Sequence, residues 1–434
     1  MPYRYERLYR RLRSTAMGKK TSRIEFLGKE FGRVFASSYG PSGNAINGLT
    51  RVLIKSGNEL LTTLPEEWWI GYISAVKAPR ADLNTKETAL AKVTREIPAD
   101  SLPGLCWLEL YRICLISGLF RVGLLVRYKA EHSIVEESHT SRNPGKAEAA
   151  LAISLEVGAW TQARELLARA MEAGLESGRA GHARWLIDSL EHGIRHAFPP
   201  KAHMDPTEQA FLVEAKNKRI AVVGPVPSKA ESGSEIDSFD LVAKFNYRGA
   251  KLGCDPVTQG RRVDIAYYNI EQSKYIARKM SPSFLRELRY PVFIKPKGYR
   301  VLKEHASHGR LLSNVEWLLP DTEFNAGPNA VYDLLRFCPG EVKIFNSDLM
   351  LTAGRFAGYW QPGAKEVNYC YSFAKTHDPV LQFRHFQHAL AAELISGDAA
   401  FREVMAMTLE QYIERLQSAH GGIAREALYP PAAQ

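Results

Sequence analysis

The sequence predicts an all-α region followed by an α/β domain built on a mostly parallel sheet. Residues from about 100 to 196 follow helical periodicity. Pro199-Pro200 then stops a helix, and after residue 205 short apolar segments alternate with helical stretches. That alternation is typical of a parallel sheet covered by helices on both faces. We expect a basic arm at 1–23, an all-α region at 24–204 and the α/β domain at 205–434.

The positive charge is concentrated at the amino terminus. The 434 residues carry a net charge of +10, and residues 1–23 hold eight Lys or Arg and one acid, which makes +7. A nucleic-acid-binding protein more often spreads its cations over a folded face, so we expect no nucleic-acid partner. Tyr5, Leu8, Tyr9 and Leu12 follow helical spacing with arginines between them. Such a helix fits peripheral contact with an anionic membrane surface, and the alternative is a solvated basic helix.

Three features favour a cytoplasmic protein, or one at the inner face of the cytoplasmic membrane. Arginines occupy the place where a secretion signal needs an apolar stretch. The most apolar segment, 105–126, contains Glu109, Arg112 and Arg121, so we predict two helices that break near Gly118 rather than a transmembrane span. The five cysteines form no CxxC pair, and we expect thiols in a reducing compartment.

A pattern of small and large residues occurs twice in the helical region, forty residues apart. The first copy is Gly118, Phe120, Gly123, Arg127 and Ala130, and the second is Gly158, Trp160, Ala163, Leu167 and Ala170. This spacing resembles the turn and second helix of a tetratricopeptide repeat, in which small residues let two helices approach closely. The resemblance implies a platform for a partner, and the alternative is a plain helical region packed on the α/β domain.

Five strands are predicted in the second half, at 219–224, 240–246, 263–268, 290–295 and 342–345, with helices at 270–289, 328–338 and 379–396. Ligands bind beyond the carboxyl ends of strands in such sheets. The loop after the first strand begins at Gly224 and is rich in glycine and serine, which suits a nucleotide phosphate because backbone N–H groups can point inward. It matches neither GxGxxG nor GxxxxGK[ST], so we expect neither a dinucleotide nor an ATP loop.

The order of these residues resembles the sialyltransferases, glycosyltransferase family 29, over about 219–385. The segments IAVVG at 220–224 and GSEIDSFDLVAKFN at 233–246 resemble the large sialylmotif. Gly327-Pro328-Asn329-Ala330 followed by Cys338 resembles the small motif, and His377 to Gln382 resembles the C-terminal motif His-x-x-x-x-Glu. The chain departs from the family pattern at Pro225, where an asparagine is usual, and at Gln382, where a glutamate is usual. Ile220 stands where the animal enzymes have a disulfide-forming cysteine.

The resemblance implies a Rossmann-like glycosyltransferase domain that needs neither a metal nor another cofactor. The implied reaction transfers an acidic 2-keto sugar, sialic acid or Kdo, from a CMP-activated donor to a cell-surface glycan or a lipid-linked oligosaccharide. His377 is the candidate general base, because an imidazole with a pKa near 6.5 suits proton removal near neutrality. The candidate donor-binding residues are Gly224, Ser234, Asp237, Ser238, Asn246, Arg262 and Asn329.

Several of these residues have structural alternatives. Asp264 is a second candidate catalytic residue, as a nucleophile if the reaction retains configuration, and Arg262 could bind the sugar carboxylate. The alternative for both is a structural Arg–Asp pair. Asn329 could cap a helix instead of binding phosphate, and Asp237 and Ser238 could cap the segment that follows them.

Two other functions remain compatible with the sequence. The first is a non-catalytic interaction protein with a degenerate transferase domain, indicated by Pro225 and Gln382. The second is a transferase for another nucleotide-sugar on a similar fold, because a fold alone does not determine function.

Overall fold

The computed structural model describes residues 3–37, 43–141, 143–249, 255–352, 354–356, 359 and 368–429. Its first half is helical, as predicted. The helices are α1 (Tyr3–Ser37), α2 (Gly43–Lys55), α3 (Glu66–Val76), α4 (Leu83–Glu96), α5 (Gly104–Ile116), α6 (Phe120–Thr140), α7 (Pro144–Val157), α8 (Trp160–Glu172), α9 (Ser177–His192) and α10 (Pro206–Ala215). Short 3-10 helices occur at Glu59–Thr63, Ala99–Ser101 and Lys201–His203.

From residue 219 onward, strands alternate with helices, as predicted. In chain order they are β1 (Arg219–Val223), α11 (Gly233–Asp237), β2 (Leu241–Phe245), α12 (Pro256–Gln259), β3 (Ile265–Tyr268), α13 (Ile270–Lys279), α14 (Phe284–Glu287), β4 (Tyr290–Phe293), α15 (Pro296–Leu302), β5 (Arg310–Leu311), α16 (Ala326–Leu335), β6 (Glu341–Phe345), α17 (Tyr369–Lys375), α18 (Pro379–Ala391), β7 (Ser396–Gly397), α19 (Ala399–Met405) and α20 (Leu409–Leu428).

The strands form one parallel sheet in the order β5-β4-β3-β2-β1-β6-β7. The mixed α/β class and the five predicted strands are therefore confirmed. The sequence did not predict β5 and β7, because two residues are too few to show an alternating pattern. The chain runs outward from β1 to β5 and then returns to place β6 on the other side of β1, so the direction of winding reverses between β1 and β6.

The two faces of the sheet are covered by different parts of the chain. Alternating side chains such as Ile220, Val222 and Ile344 belong to a large hydrophobic cluster that also contains core residues of α5 and α6. The opposite face packs on Ile236 of α11, on Phe239 just after that helix, and on α13 and α15. Because the large cluster is continuous, the helical region and the sheet share a core, and the predicted boundary near residue 205 separates them only along the sequence.

The repeated small residues lie where helices turn or approach each other. Helices α5 and α6 meet at Gly118, and α7 and α8 meet at Gly158, with φ of +67° and +75°. The predicted break near Gly118 is therefore confirmed. At Gly123, an added Cβ would lie 3.4 Å from the Cβ of Cys114, so the glycine lets α6 pack closely on α5.

Helix α1 continues through the predicted end of the basic arm at residue 23. Its buried residues include Ile24 and Phe31, and toward the amino terminus Arg13 and Lys20 are also buried. The Arg13 guanidinium donates to the backbone carbonyls of Glu316 (3.2 Å) and Thr322. Part of the basic segment is thus packed against the loop that precedes α16. Among the described residues, we find no helix that combines the length and the apolar character needed to cross a bilayer.

The C-terminal helix α20 packs on the turn between α5 and α6. Phe120 N–H donates to Gln417 Oε1 (2.7 Å), and Gln417 Nε2 donates to the Gly118 carbonyl (2.7 Å). A Cβ on Gly118 would overlap the carbonyl oxygen of Gly421. Helix α20 is therefore packed against the helical region formed by the first half of the chain.

We predict that Gly118→Ala lowers the free energy of unfolding by about 3 kcal/mol, as judged by urea denaturation. The left-handed backbone at residue 118 costs an alanine about 1 kcal/mol, and overlap with α20 adds about 1–3 kcal/mol. Gly174→Ala is the matched control, because Gly174 has φ of +96° but no atom within 4 Å of an added Cβ. Equal losses in the two variants would argue against tight packing of α20 on this turn.

Candidate functional site

A small cleft lies at the carboxyl ends of β1 and β2. It is next to the point between β1 and β6 where the winding of the sheet reverses, which is where parallel α/β sheets bind ligands. Its lining comes from both strand ends and from two later segments: Val223, Gly224, Pro225, Lys244, Phe245, Asn246, Tyr247, Gln259, Phe356 and Tyr359.

Gly224 is at this site because the chain is crowded there. A Cβ on Gly224 would overlap the carbonyl oxygen of Asn346, the residue after β6. Gly224 N–H donates to the Phe345 carbonyl (2.8 Å), and Val226 N–H donates to the Asn346 carbonyl (3.2 Å). The loops that follow β1 and β6 are therefore held together at the wall of the cleft.

Asparagines end β2 and β6 with left-handed backbones. Asn246 has φ of +55° and Asn346 has φ of +52°, a region that asparagine tolerates better than most residues. Asn246 Nδ2 donates to the Tyr359 carbonyl (2.5 Å), while Asn346 Nδ2 donates to the Thr258 carbonyl (3.0 Å). Each asparagine thus turns the chain at a strand end and anchors a segment that lines the cleft.

The cleft combines a cation with aromatic rings. Lys244 is buried, and its ammonium donates to the Gly260 carbonyl (2.8 Å). The rings of Phe356 and Tyr359 pack edge to face with centroids 5.5 Å apart. An ammonium beside aromatic surface can bind an anion that carries a planar group. None of these three residues was predicted from the sequence to line a site. The position of Lys244 within a buried strand was a signal, because a lysine there needs a partner or a ligand.

Asp264 and Arg262 lie at the opposite side of the sheet, where the strands begin. Asp264 immediately precedes β3, and its Oδ2 accepts from Val242 N–H (2.9 Å) and from Arg262 Nη2 (3.0 Å). The four residues of β3 span about 13 Å, so its amino end is far from the carboxyl edge. The structure therefore does not bring Asp264 or Arg262 to the cleft, and their geometry is that of the structural Arg–Asp pair.

Asp237, Ser238 and Ser234 are also outside the cleft lining. Asp237 accepts from the backbone N–H groups of Arg261 (2.9 Å) and Arg262 (2.9 Å), which ties α11 to the segment before β3. Ser238 Oγ donates to the Glu235 carbonyl (2.6 Å), and Ser234 is exposed on α11. These contacts describe a structural turn.

Asn329 is buried inside α16 rather than at its start. Its Nδ2 donates to the Phe324 carbonyl (2.7 Å), and the N-cap of the helix is Asn325. Asn329 is therefore not the N-cap of α16, and it is not among the described residues that line the cleft.

His377 lies in the loop before α18 and contacts the segment before α16. The Nδ1 atom is 3.2 Å from the Glu323 carbonyl. Since a carbonyl only accepts, Nδ1 carries the proton, and the lone pair of the neutral ring is on Nε2. Burial lowers the pKa of His377; Glu323 opposes this effect, whereas Lys295 and Lys20 add to it. A neutral imidazole with this tautomer can accept a proton at Nε2. The ring lies outside the cleft, because His377 is not among the described residues that line it.

Gln382 joins the C-terminal motif to the start of α16. Its Nε2 donates to the His377 carbonyl (3.2 Å), and its Oε1 accepts from Asn325 N–H (3.1 Å). The two segments that resemble the small and C-terminal sialylmotifs are therefore in direct contact, although Gln382 replaces the usual glutamate.

The helical region holds the residue next to His377. Asp378 Oδ1 accepts from Tyr111 Oη (3.0 Å) and caps α18, while Oδ2 lies 3.5 Å from Nη2 of Arg127. Arg127 is fully buried and also pairs with Glu156 at 2.6 Å. The predicted pattern of small and large residues contained Arg127, but no signal in the sequence connected it with Asp378.

A second buried ionic cluster joins α1 and α5 to the loop before α16. Asp321 Oδ2 is 2.6 Å from Arg112 Nη2 and 3.6 Å from Lys20 Nζ. Burial lowers the pKa of Lys20 to about 7, and the nearby Arg112 adds to the shift. Burial alone would raise the pKa of Asp321, but Arg112 and Lys20 lower it to about 2.

Comparison with known proteins gave no assignment: no model of a protein family matches the chain, and no curated protein sequence matches it.

We predict that Lys20→Met removes a pH dependence of stability above pH 7. Between about pH 7 and 10 the unfolded chain keeps the Lys20 proton that the folded chain releases, so the free energy of unfolding of the natural protein rises by about 1 kcal/mol per pH unit from this group. Urea denaturation at pH 7, 8 and 9 should therefore show stability differences between the natural protein and the variant that grow with pH. The exposed neighbour Lys19, replaced in Lys19→Met, serves as the control. Parallel stability curves for the natural protein and Lys20→Met would contradict the depressed pKa.

Proposed function

We propose that the protein is a glycosyltransferase that uses a CMP-activated acidic 2-keto sugar, sialic acid or Kdo. The observation that carries the proposal is the cleft at the winding reversal of the sheet, where the buried Lys244 lies beside aromatic residues and Asn246. The resemblance to sialyltransferases adds support, because the segment with the most specific match, 219–246, supplies the strand ends that line this cleft.

The residues of the cleft suit a nucleoside monophosphate leaving group. When the bond between the anomeric carbon and the phosphate oxygen breaks, its electron pair stays on CMP. The Lys244 ammonium would stabilise that negative charge in a site from which water is partly excluded. Phe356 and Tyr359 offer ring surface to a pyrimidine, and Asn246 holds the Tyr359 backbone in place.

His377 would complete the reaction as the general base. The acceptor hydroxyl attacks the anomeric carbon and its proton passes to Nε2 of the neutral imidazole. Asp378, Tyr111 and Arg127 would act as positioning residues, since they hold the loop that carries His377. In this proposal the helical region contributes to catalysis by fixing the base rather than by touching the substrate.

A transferase that uses another nucleotide-sugar is the second candidate. The same cleft supports this candidate, because an ammonium and aromatic rings also fit a uridine nucleotide.

Calorimetric titration of CMP, CMP-sialic acid and CMP-Kdo tests the proposal directly. We expect at least one of the three to bind, and Asn246→Ala to weaken that binding about 10-fold, because the Tyr359 carbonyl loses its shorter hydrogen bond (2.5 Å) and keeps the longer one from Arg248 (3.4 Å). Asn217→Ala is the matched control, since Asn217 also has a left-handed backbone, with φ of +60°, but is exposed outside the cleft. Absence of heat with all three ligands would reject the proposal. In a competition titration, stronger displacement of the bound CMP-sugar by UDP than by CMP would favour the second candidate.

His377→Ala should lower the rate of sugar transfer by about 10²–10⁴-fold and leave CMP affinity within a few-fold. Release of CMP from the donor in the presence of a soluble glycan acceptor measures the rate. Because the pKa of His377 lies below 6.5, the natural protein should keep a constant kcat/KM above that pH and lose activity only on further acidification. The exposed His192 provides a control in His192→Ala. Normal turnover by His377→Ala would exclude His377 as the base.

A further inference from the structure

Gln259 is a buried amide in the wall of the cleft. It is the last residue of α12, only 2% of it is exposed, and it lines the same cavity as Lys244 and Asn246. Within the described part of the chain, its Oε1 has no hydrogen-bond partner. A buried acceptor without a donor is unfavourable, so it indicates a missing partner.

The turn that carries Gln259 is held from several sides. Asp255 caps α12 by accepting from Val257 N–H (3.0 Å) and from Thr258 Oγ (2.9 Å). Asn346 Nδ2 donates to the Thr258 carbonyl on one side of Gln259, and Lys244 Nζ donates to the Gly260 carbonyl on the other. The backbone of Gln259 is thus fixed before any ligand arrives, which favours a binding role over an adjustable surface side chain.

The chemistry of the Gln259 Oε1 atom determines which ligand group can pair with it. An amide oxygen accepts hydrogen bonds, so the ligand group that meets it must be an N–H or O–H donor. Among pyrimidine bases, cytosine carries an exocyclic amino group at C4, whereas uracil carries a carbonyl oxygen there. A carbonyl facing Oε1 would leave two acceptors opposed and unpaired, which a buried site rejects.

We propose that Gln259 is the specificity-determining residue of the cleft and accepts a hydrogen bond from the 4-amino group of a cytosine base. The inference rests on the proposed function, because it assumes that a nucleotide occupies this cleft. It adds the reason why the nucleotide is a cytidine rather than a uridine. The amide oxygen reads the base edge, while the Lys244 ammonium supplies charge for the phosphate.

Calorimetric titration of CMP and UMP into the full-length protein tests this assignment. The natural protein should bind CMP about 10-fold more tightly than UMP. Gln259→Met keeps the length of the side chain but not its acceptor, and should bring the two affinities within about threefold, mainly by weakening CMP. Thr258→Val is the matched control: it changes the same turn without touching the cleft lining, and should retain the preference for CMP.

A change in the ligand tests the same contact without a variant. The monophosphate of the pyrimidin-2-one ribonucleoside lacks the 4-amino group and should bind the natural protein about 10-fold more weakly than CMP. This arm remains informative if Gln259→Met does not fold, which its thermal unfolding midpoint would reveal.

The outcomes separate the two proposals. If CMP binds but the natural protein does not prefer it over UMP and over the pyrimidin-2-one nucleotide, or a folded Gln259→Met keeps the preference, the role of Gln259 is wrong and the proposed function stands. A preference for UMP would mean that the amide presents its NH₂ group instead, and would overturn the assignment to cytosine. If none of these nucleotides binds, the role of Gln259 is wrong, and the proposed function fails as well only if CMP-sialic acid and CMP-Kdo also give no heat.

Discussion

The buried guanidinium of Arg127 joins the helical region to the α/β part of the chain. A charge without water must be paired, and Arg127 meets Glu156 and Asp378, which come from different parts of the sequence. Asp378 also caps α18 and immediately precedes the proline that begins it. Removing one partner would leave another charge buried and unpaired. The position of the His377 loop therefore depends on the packing of α6 and α7.

The parallel sheet separates structural polar groups from those available to a ligand. At the amino edge, Asp237, Arg262 and Asp264 bond to one another or to nearby backbone, so their polar groups hold turns together. At the carboxyl ends of the strands, the amides of Asn246 and Asn346 support segments around the cleft, and the Gln259 Oε1 atom finds no hydrogen-bond partner among the described residues. This division explains why residues of one sequence motif have different roles.

The buried ionic cluster of α1 and the His377 loop are linked through the segment 316–329. Arg13 and Lys20 of α1 contact its first part, His377 contacts the Glu323 carbonyl, and Gln382 bonds to Asn325. A segment held by three separate elements has little freedom, which favours a preorganised loop for His377. The same contacts give the basic amino-terminal segment a structural role in addition to any surface role of its exposed side.

The sequence by itself indicated the helical region around 100–196, the helices near 328–338 and 379–396 and the five longer strands, because local periodicity and the glycines at turns are properties of short segments. It also identified Gly224 and Asn246 at strand ends. Only the tertiary structure determined that β6 lies beside β1 and that Asn346, at the end of β6, supports the turn that carries Gln259 at the wall of the cleft. It likewise paired Arg127 with Asp378, and it placed Asp264 at the amino edge. These arrangements depend on contacts between residues far apart in the chain. A local sequence pattern therefore cannot predict the strand order or the partner of a buried charge.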